Sequence, residues 1–277
     1  MNSLILQKQE EVIALAQFDI KDAVLKKCLL KEDETVITVP DGVMTIGKDA
    51  LCGLQSVIAV TLPESLKVIN DGAFYGCSSL TSVTLPGSVE RLGSCAFAQC
   101  STLNKIYLDN KLTEIGNSAF WGCTSLESID IPEGVTKIGY NLFGSCLSLI
   151  SVSLPDTVTE LDERAFKECT SLACITLPDS LTKIGNMAFL NCHNLKSVNI
   201  PDRLESIGEK AFFMCESLHE LEIPDGIASV GGDAFSDCVS VPVRSTISGK
   251  PLYKAVTATD GSSAYNFILR NIWDKGG

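Results

Sequence analysis

Apolar residues along this chain recur in a fixed, uneven phrase. In residues 80–102, LTSVTLPGSVERLGSCAFAQCST, Leu80, Val83 and Leu85 are separated by polar Thr81, Ser82 and Thr84. Val89 and Leu92 come next, and Ala96, Phe97 and Cys100 close the unit. The alternation around Val83 and Leu85 predicts a strand with those two inward and Thr84 outward. Pro86 has no N–H and ends the strand's ladder. Gly93 shares its column with Gly47, Gly116, Gly139, Gly185, Gly208 and Gly231, and otherwise with Asn70 and Asp162. These residue types tolerate a left-handed backbone, so a sharp turn is expected there.

The phrase repeats every 23 residues: Phe74, Phe97, Phe120, Phe143, Phe166, Phe189, Phe212 and Phe235 hold one column, with Leu51 one step earlier. Cys77, Cys100, Cys123, Cys146, Cys169, Cys192, Cys215 and Cys238 hold another. Pro40, Pro63, Pro86, Pro132, Pro155, Pro178, Pro201 and Pro224 hold a third, with Asp109 the one substitute. A period of this length means a stacked array. One unit cannot shield its own apolar edge, whereas stacked units bury a continuous core with strands about 4.8 Å apart. About nine units make a rod on the order of 45 Å long.

Three blocks follow. Residues 1–33 lose the phrase; QKQEEVIALAQF and IKDAVLKKCLL space their apolar residues as helices do and predict an N-terminal helical cap. Residues 34–246 are the repeats. Residues 247–277 break register again, and Ser262 or Ser263 would cap a helix through AYNFILRNIW, giving a C-terminal cap.

The L-x-x-V-x-L segment at this period resembles the leucine-rich repeat family. The fuller phrase LPxxVxxIGxxAFxxCxSLxxV is similar to its BspA-like, Treponema-type branch, over roughly residues 34–246. The resemblance implies an α/β, right-handed solenoid. Its parallel sheet would line the concave face, with turns and short helical segments on the convex face. It implies a non-catalytic binding scaffold for protein–protein recognition, including adhesion by bacterial surface proteins. No site motif travels with the repeat. A structural or assembly module is the alternative, and a carbohydrate-binding module comes third.

Cysteine raises the question of chemistry, since the chain has 12. Zinc sites show close C-x-x-C pairs or Cys/His clusters, whereas these column thiols are one per coil and the chain has only two histidines, His193 and His219. A file of inward thiols behaves as small hydrophobic filler. Cys28, Cys52, Cys95 and Cys174 lie off the column, and Cys174 is expected on the exposed sheet face. A hydroxyl column, Ser56, Ser79, Thr102, Ser125, Ser148, Ser171, Ser217 and Ser240 with Asn194, suits turns, where such side chains satisfy nearby backbone groups. The acids that follow the prolines, Asp41, Glu64, Glu133, Asp156, Asp179, Asp202 and Asp225, read as turn residues. No metal or cofactor is expected.

Net charge is −12 and the pI is near 4.6, which excludes a nucleic-acid partner. No stretch is long and apolar enough for a membrane span. The N-terminus lacks the form of an export signal, so the chain reads as cytoplasmic, with a cell-surface or secreted location requiring a removed export segment. No nucleophile, base and orienting group are in register and no nucleotide-binding loop is present, so no catalytic residue is assigned. The candidate contact residues lie on the exposed strand columns. Asn104, Lys105, Tyr107, Glu127 and Asp130 join an aromatic to both charges, and Lys196, His219, Glu220 and Glu222, with Asn199 beside them, form a second polar patch. On the far side the residue after Phe varies, and Trp121, Leu190 and Phe213 either form an alternative contact edge or fill grooves between coils.

Overall fold

Every coil turns three corners, and each corner follows from one column of the repeat. The computed structural model describes residues 17–30, 34–218, 221, 223–224 and 227–238. The strand before the proline column begins with β3 (Val36–Thr38), and the shorter strand after it begins with β4 (Thr45–Ile46); both recur in the next coil as β5 (Ala59–Thr61) and β6 (Val68–Ile69). β3 pairs with β5 and β4 with β6, both parallel and both offset by 23 residues. Between the two strands of a coil the proline carbonyl accepts an N–H three residues on, as in Val89 N to Pro86 O at 3.0 Å. Asp109 does the same for Leu112 N at 3.0 Å, so the turn survives the loss of proline.

The side carrying the Ala-Phe phrase contains no helix among the described residues, which corrects the expectation of short helical segments there. The reason lies in where its N–H groups go. Phe74 N bonds to Ala96 O and Gly76 N to Ala98 O, 2.8 and 2.9 Å, in the next coil. A helix would turn those donors back on its own chain. Left-handed residues also interrupt the segment twice per coil. One file is Asp49, Gly72, Cys95, Ser118, Asn141, Arg164, Met187, Lys210 and Asp233; the other is Gly53, Gly76, Gln99, Gly122, Ser145, Glu168, Asn191, Met214 and Asp237.

These files also correct the role expected of the Gly93 column. That column does not hold the left-handed residues; it marks a close approach. A Cβ on Gly93 would lie 2.4 Å from Asp71 N, and one on Gly116 would lie 2.3 Å from Ser94 N. The strain sits two and six residues later, mostly on non-glycine residues. A left-handed residue with a Cβ costs about 1 kcal/mol. Lys210→Gly, at φ 53°, is therefore expected to raise stability by roughly 0.5 kcal/mol after the entropy cost of glycine, and Lys210→Val to lower it by about 1 kcal/mol. Urea midpoints of the two variants check this, and a stabilising valine contradicts it.

The interior is entirely apolar: no polar or charged residue is buried among the described residues. The phenylalanines form one stack from Phe74 to Phe235, with centroids 4.9–6.0 Å apart and rings within 15° of parallel.

The start of the chain departs from the expected helical cap. β1 (Gln17–Lys21) and β2 (Val24–Leu29) form an antiparallel hairpin, turned by Asp22 and Ala23 at φ 54° and 60°. Such a two-residue turn matches the twist of paired strands. The apolar spacing of IKDAVLKKCLL admits a helix, but β2 has an open sheet edge to join. It pairs with β4, Leu25 O accepts Gly47 N at 2.7 Å, and Cys28 N donates to Ala50 O at 3.0 Å. Leu25 and Cys28 are buried by that pairing. Of the helix expected over QKQEEVIALAQF, Gln17 and Phe18 belong to β1 and residues 7–16 lie outside the described residues, as does the C-terminal cap expected at 247–277.

Candidate functional site

The longer strands present one outward face, and the pattern of their pairing shapes it. Val36–Thr38 pairs fully with Ala59–Thr61, Ser82–Thr84 with Lys105–Tyr107, and Ser128–Asp130 with Ser151–Ser153. Between these couples the ladder is weak: Ala59 and Ser82 are the one register pair joining the first two. No ladder pairs join Lys105–Tyr107 to Ser128–Asp130, or Ser151–Ser153 to Cys174–Ile175. At the first gap the short strands Glu114–Ile115 and Lys137–Ile138 are unpaired too, and the Ala-Phe side joins the coils, with Phe120 N on Leu142 O at 3.1 Å; at the second, Glu160–Leu161 pairs with Lys183–Ile184.

Across the second of those gaps lies a groove of about 550 Å³, bordered by Asp130, Ser153, Asp156, Thr176, Asp179 and Asn199. Ser153, Thr176 and Asn199 are mid-strand residues expected on this face; Asp156 and Asp179 were assigned to the proline turns. They border the groove because each follows its outward mid-strand residue by three positions, and that constant offset is the signal in the sequence. Among the described residues the carboxylates of Asp130, Asp156 and Asp179 have no ion pair. Asn199 is engaged: its amide accepts from Leu177 N and donates to Leu177 O, both at 2.8 Å, standing in for a ladder pair.

The first predicted patch flanks this groove. Tyr107 is 52% exposed. Lys105 Nζ sits 4.8 Å from the centre of its ring, a cation–π contact along one strand. Tyr107 raises the Lys105 ammonium's pKa from its ordinary value. Glu127 N bonds to Asn104 O at 3.3 Å, which sets those two exposed residues side by side on successive coils. Asp130 belongs to both patch and groove. In the second patch Lys196 is exposed beside the strand Ser197–Val198; His219, Glu220 and Glu222 lie outside the described residues.

Around Glu160 the short-strand face is electrostatically different because its charges pair. Lys137, Glu160 and Lys183 are register partners on successive coils, and Glu160 contacts both lysines at 2.9 and 2.6 Å. Lys137 also reaches Asp162 at 2.9 Å. The two ammonium groups hold the Glu160 carboxyl below its ordinary pKa. Beside this ladder runs a second groove of about 540 Å³ floored by Gly185, Gly208 and Gly231. It follows from the close approach of coils along the glycine column.

Each column thiol from Cys100 onward donates to the carbonyl of a phenylalanine in the coil before, Cys100 to Phe74, Cys123 to Phe97 and Cys192 to Phe166, all at 3.1 Å. Cys77 does the same to Leu51 O at 3.1 Å. Cysteine fits because it is small, apolar and able to donate one weak hydrogen bond. Burial pushes the thiols of Cys123 and Cys192 up to about 12. Among the described residues no group of three His, Cys, Asp or Glu side chains is placed to hold a metal. Off the column, Cys28 is buried, Cys95 is half-buried, and Cys52 and Cys174 are exposed. The hydroxyl column serves the corners: Thr102 donates to Ser78 O at 2.8 Å and Ser56 to Glu34 O at 3.1 Å. On the Ala-Phe side Trp121, Leu190 and Phe213 are half-buried rather than open.

A family model described as the BspA type leucine rich repeat region, in six copies, matches residues 19–150 and 137–248. A leucine rich cell surface protein of Faecalibacterium prausnitzii A2-165 is similar at 25% identity and a TM-score of 0.52, over 89% of this chain and 97% of that one. A leucine-rich repeat protein of Bacteroides ovatus has the same fold, at 21% identity and a TM-score of 0.52, over 85% and 90% of the two chains. No curated protein matches the chain.

Proposed function

Because this chain belongs to the BspA-type leucine-rich repeat family, we propose that it is a non-catalytic scaffold that recognises another protein through its long-strand face. The observation that carries this reading is the groove of about 550 Å³ on that face, whose border residue Asp130 stands one coil from the exposed Tyr107. Tyrosine is a frequent anchor in interfaces because it buries a large rigid area and keeps a polar tip. Glu160 and Asp162 of the short-strand face are already paired with lysines, whereas Asp130, Asp156 and Asp179 of the groove are free of ion pairs. A partner contributing cations to the groove would complete its electrostatics, and charge of this kind acts mainly on the rate of encounter and on selectivity.

The similar F. prausnitzii protein is a cell surface protein. That likeness supports a surface location for this chain. Antibody labelling of intact cells, with and without permeabilisation, tests the location.

The binding reading is tested by capture from host and self lysates with the native protein and with a Tyr107→Ala/Asp130→Lys variant. Both substitutions are at exposed positions, so the fold is expected to persist in circular dichroism. The expected result is a protein retained by the native chain and lost, at least tenfold, by the variant. Identical catches would remove this face from consideration. Binding to a glycan array without any protein partner would replace protein recognition with the carbohydrate-binding reading.

A further inference from the structure

One junction between coils is held differently from the rest. At every other junction among the described residues at least one of the two strand ladders crosses from coil to coil. Between the coil of Lys105–Tyr107 and Glu114–Ile115 and the coil of Ser128–Asp130 and Lys137–Ile138, neither ladder does. The side chains there agree. Ile115 is half-buried, whereas Leu92 and Ile138, in the same column, are fully buried. A Cβ on Gly139 would find its nearest backbone atom, Ile115 O, 3.9 Å away, against 2.4 Å for Gly93 and 2.3 Å for Gly116. The coils therefore stand apart on the short-strand side.

Two further links are missing or replaced. In other coils a hydroxyl after the proline turn donates to the coil before, Ser88 to Leu66 O at 2.6 Å and Thr157 to Val135 O at 2.8 Å. At this junction that position is Gly134, which lies close to Leu112 O but has no hydroxyl to give. Where the glycine corner would bond through its backbone, the Asn117 side-chain oxygen accepts Tyr140 N at 3.2 Å. The backbone bonds that do cross lie on the Ala-Phe side and the corner after it. Ser118 N reaches Tyr140 O and Gly122 N reaches Gly144 O, both at 2.9 Å, and Ser125 N and Glu127 N reach Ser101 O and Asn104 O at 3.1 and 3.3 Å.

We propose that the solenoid is two stiff stacks hinged at this junction, with the Ala-Phe side as pivot and the two strand sides as the mouth. Backbone bonds and the Phe120–Phe143 contact at 5.7 Å hold the pivot edge. The mouth has no ladder to break, so parting it exposes little and costs little, and motion collects where local stability is lowest. Tyr107 and Asp130 stand on opposite lips, so the hinge sets their spacing. That consequence rests on the recognition reading of the long-strand face; the hinge itself does not.

Amide hydrogen exchange on the intact chain, resolved by NMR, tests this without a partner. The amides of Asn104, Glu127 and Ile150 hold one place on successive coils, bonded to Thr81 O, Asn104 O and Glu127 O. Only that of Glu127 spans the junction. On the Ala-Phe side Phe97, Phe120 and Phe143 are the equivalent set, bonded to Ala119 O, Leu142 O and Ala165 O. After correction for intrinsic rates, Glu127 is expected to exchange at least tenfold faster than Asn104 and Ile150, while Phe120 stays within about threefold of Phe97 and Phe143. Equal rates at Asn104, Glu127 and Ile150 overturn the hinge. So does a Phe120 amide as fast as that of Glu127, which reports unfolding of the whole coil. A Thr113→Cys/Thr136→Cys variant, altered at two exposed positions facing each other across the short-strand mouth, separates hinging from a merely long hydrogen bond. With the disulfide closed, Glu127 is expected to slow to the rate of its neighbours, and reduction to restore it, the native chain under the same oxidant being the control. A Glu127 rate indifferent to this lock on the other face overturns the proposal.

Discussion

Phe143→Ala is expected to cost the solenoid about 3–5 kcal/mol, the range for deleting a buried aromatic ring. Phe143 is fully buried and stacks on Phe120 at 5.7 Å and on Phe166 at 5.3 Å. Total stability of a folded chain is about 5–15 kcal/mol, so this one substitution removes a large share of it. The placement matters as much as the size. In a stack where each unit touches only its neighbours, stability is a sum of unit and interface terms. A hole in the middle weakens two interfaces and separates the coils on either side. The variant is expected to unfold in two urea transitions where the native chain shows one. Phe74→Ala, with one stacked ring, is expected to lose less and keep a single transition. A loss below about 1 kcal/mol at Phe143 would mean that the stack is incidental to stability.

The second large effect is alkaline unfolding. The Cys123, Cys192 and Cys238 thiols have pKa values pushed up to about 12, and that of Cys28 to about 11, from an ordinary 9.0, because burial disfavours the thiolate. Cys146, Cys169 and Cys215 are raised well above 9.0 for the same reason. The sign follows from proton counts. Below pH 9 both folded and unfolded chains hold these protons, and stability does not depend on pH through them. Between 9 and 12 the unfolded chain has released them and the folded chain has not, so stability falls as pH rises. Each thiol contributes about 1.4 kcal/mol per pH unit, so several together exhaust a stability of about 5–15 kcal/mol within one or two units. Under reducing conditions the chain is expected to hold its fold at pH 8 and unfold between about pH 9 and 11. Replacing Cys123 and Cys192 by Ala should flatten the slope between those values, measured as urea midpoint against pH, even though each loses packing at neutral pH. A midpoint independent of pH up to 11 would mean that the thiols are reachable by water.

The stack and the thiol file show how much of this molecule is readable from residue order. Phe97 and Cys100 recur every 23 residues beside Ala96, and a column of that composition has one low-energy destination, the interior between coils. The exposed strand residues were legible for the same reason, since alternation about Ile106 puts Lys105 and Tyr107 outward. Periodicity could not say which backbone groups bond to which. The Ala-Phe segment is compatible with a helix until its N–H groups find the next coil, a partner 22 residues away in sequence. The IKDAVLKKCLL segment became a hairpin because β4 offered an open edge. Asp156 and Asp179 looked like turn residues, and they are, but the missing pairing between Ser153 and Thr176 also makes them the rim of a groove.

The sequence by itself determined the period, the inward columns and the inert role of the thiols, because these depend only on which side chains must leave water, and a strict repeat gives every copy the same answer. Tertiary structure decided the hydrogen-bond partners of the Ala-Phe side, the β1–β2 start and the opening between coils that unites Asp130 with Asn199. Those depend on the distance between neighbouring coils, a quantity set by the fit of whole turns against one another and carried by no single copy of the phrase.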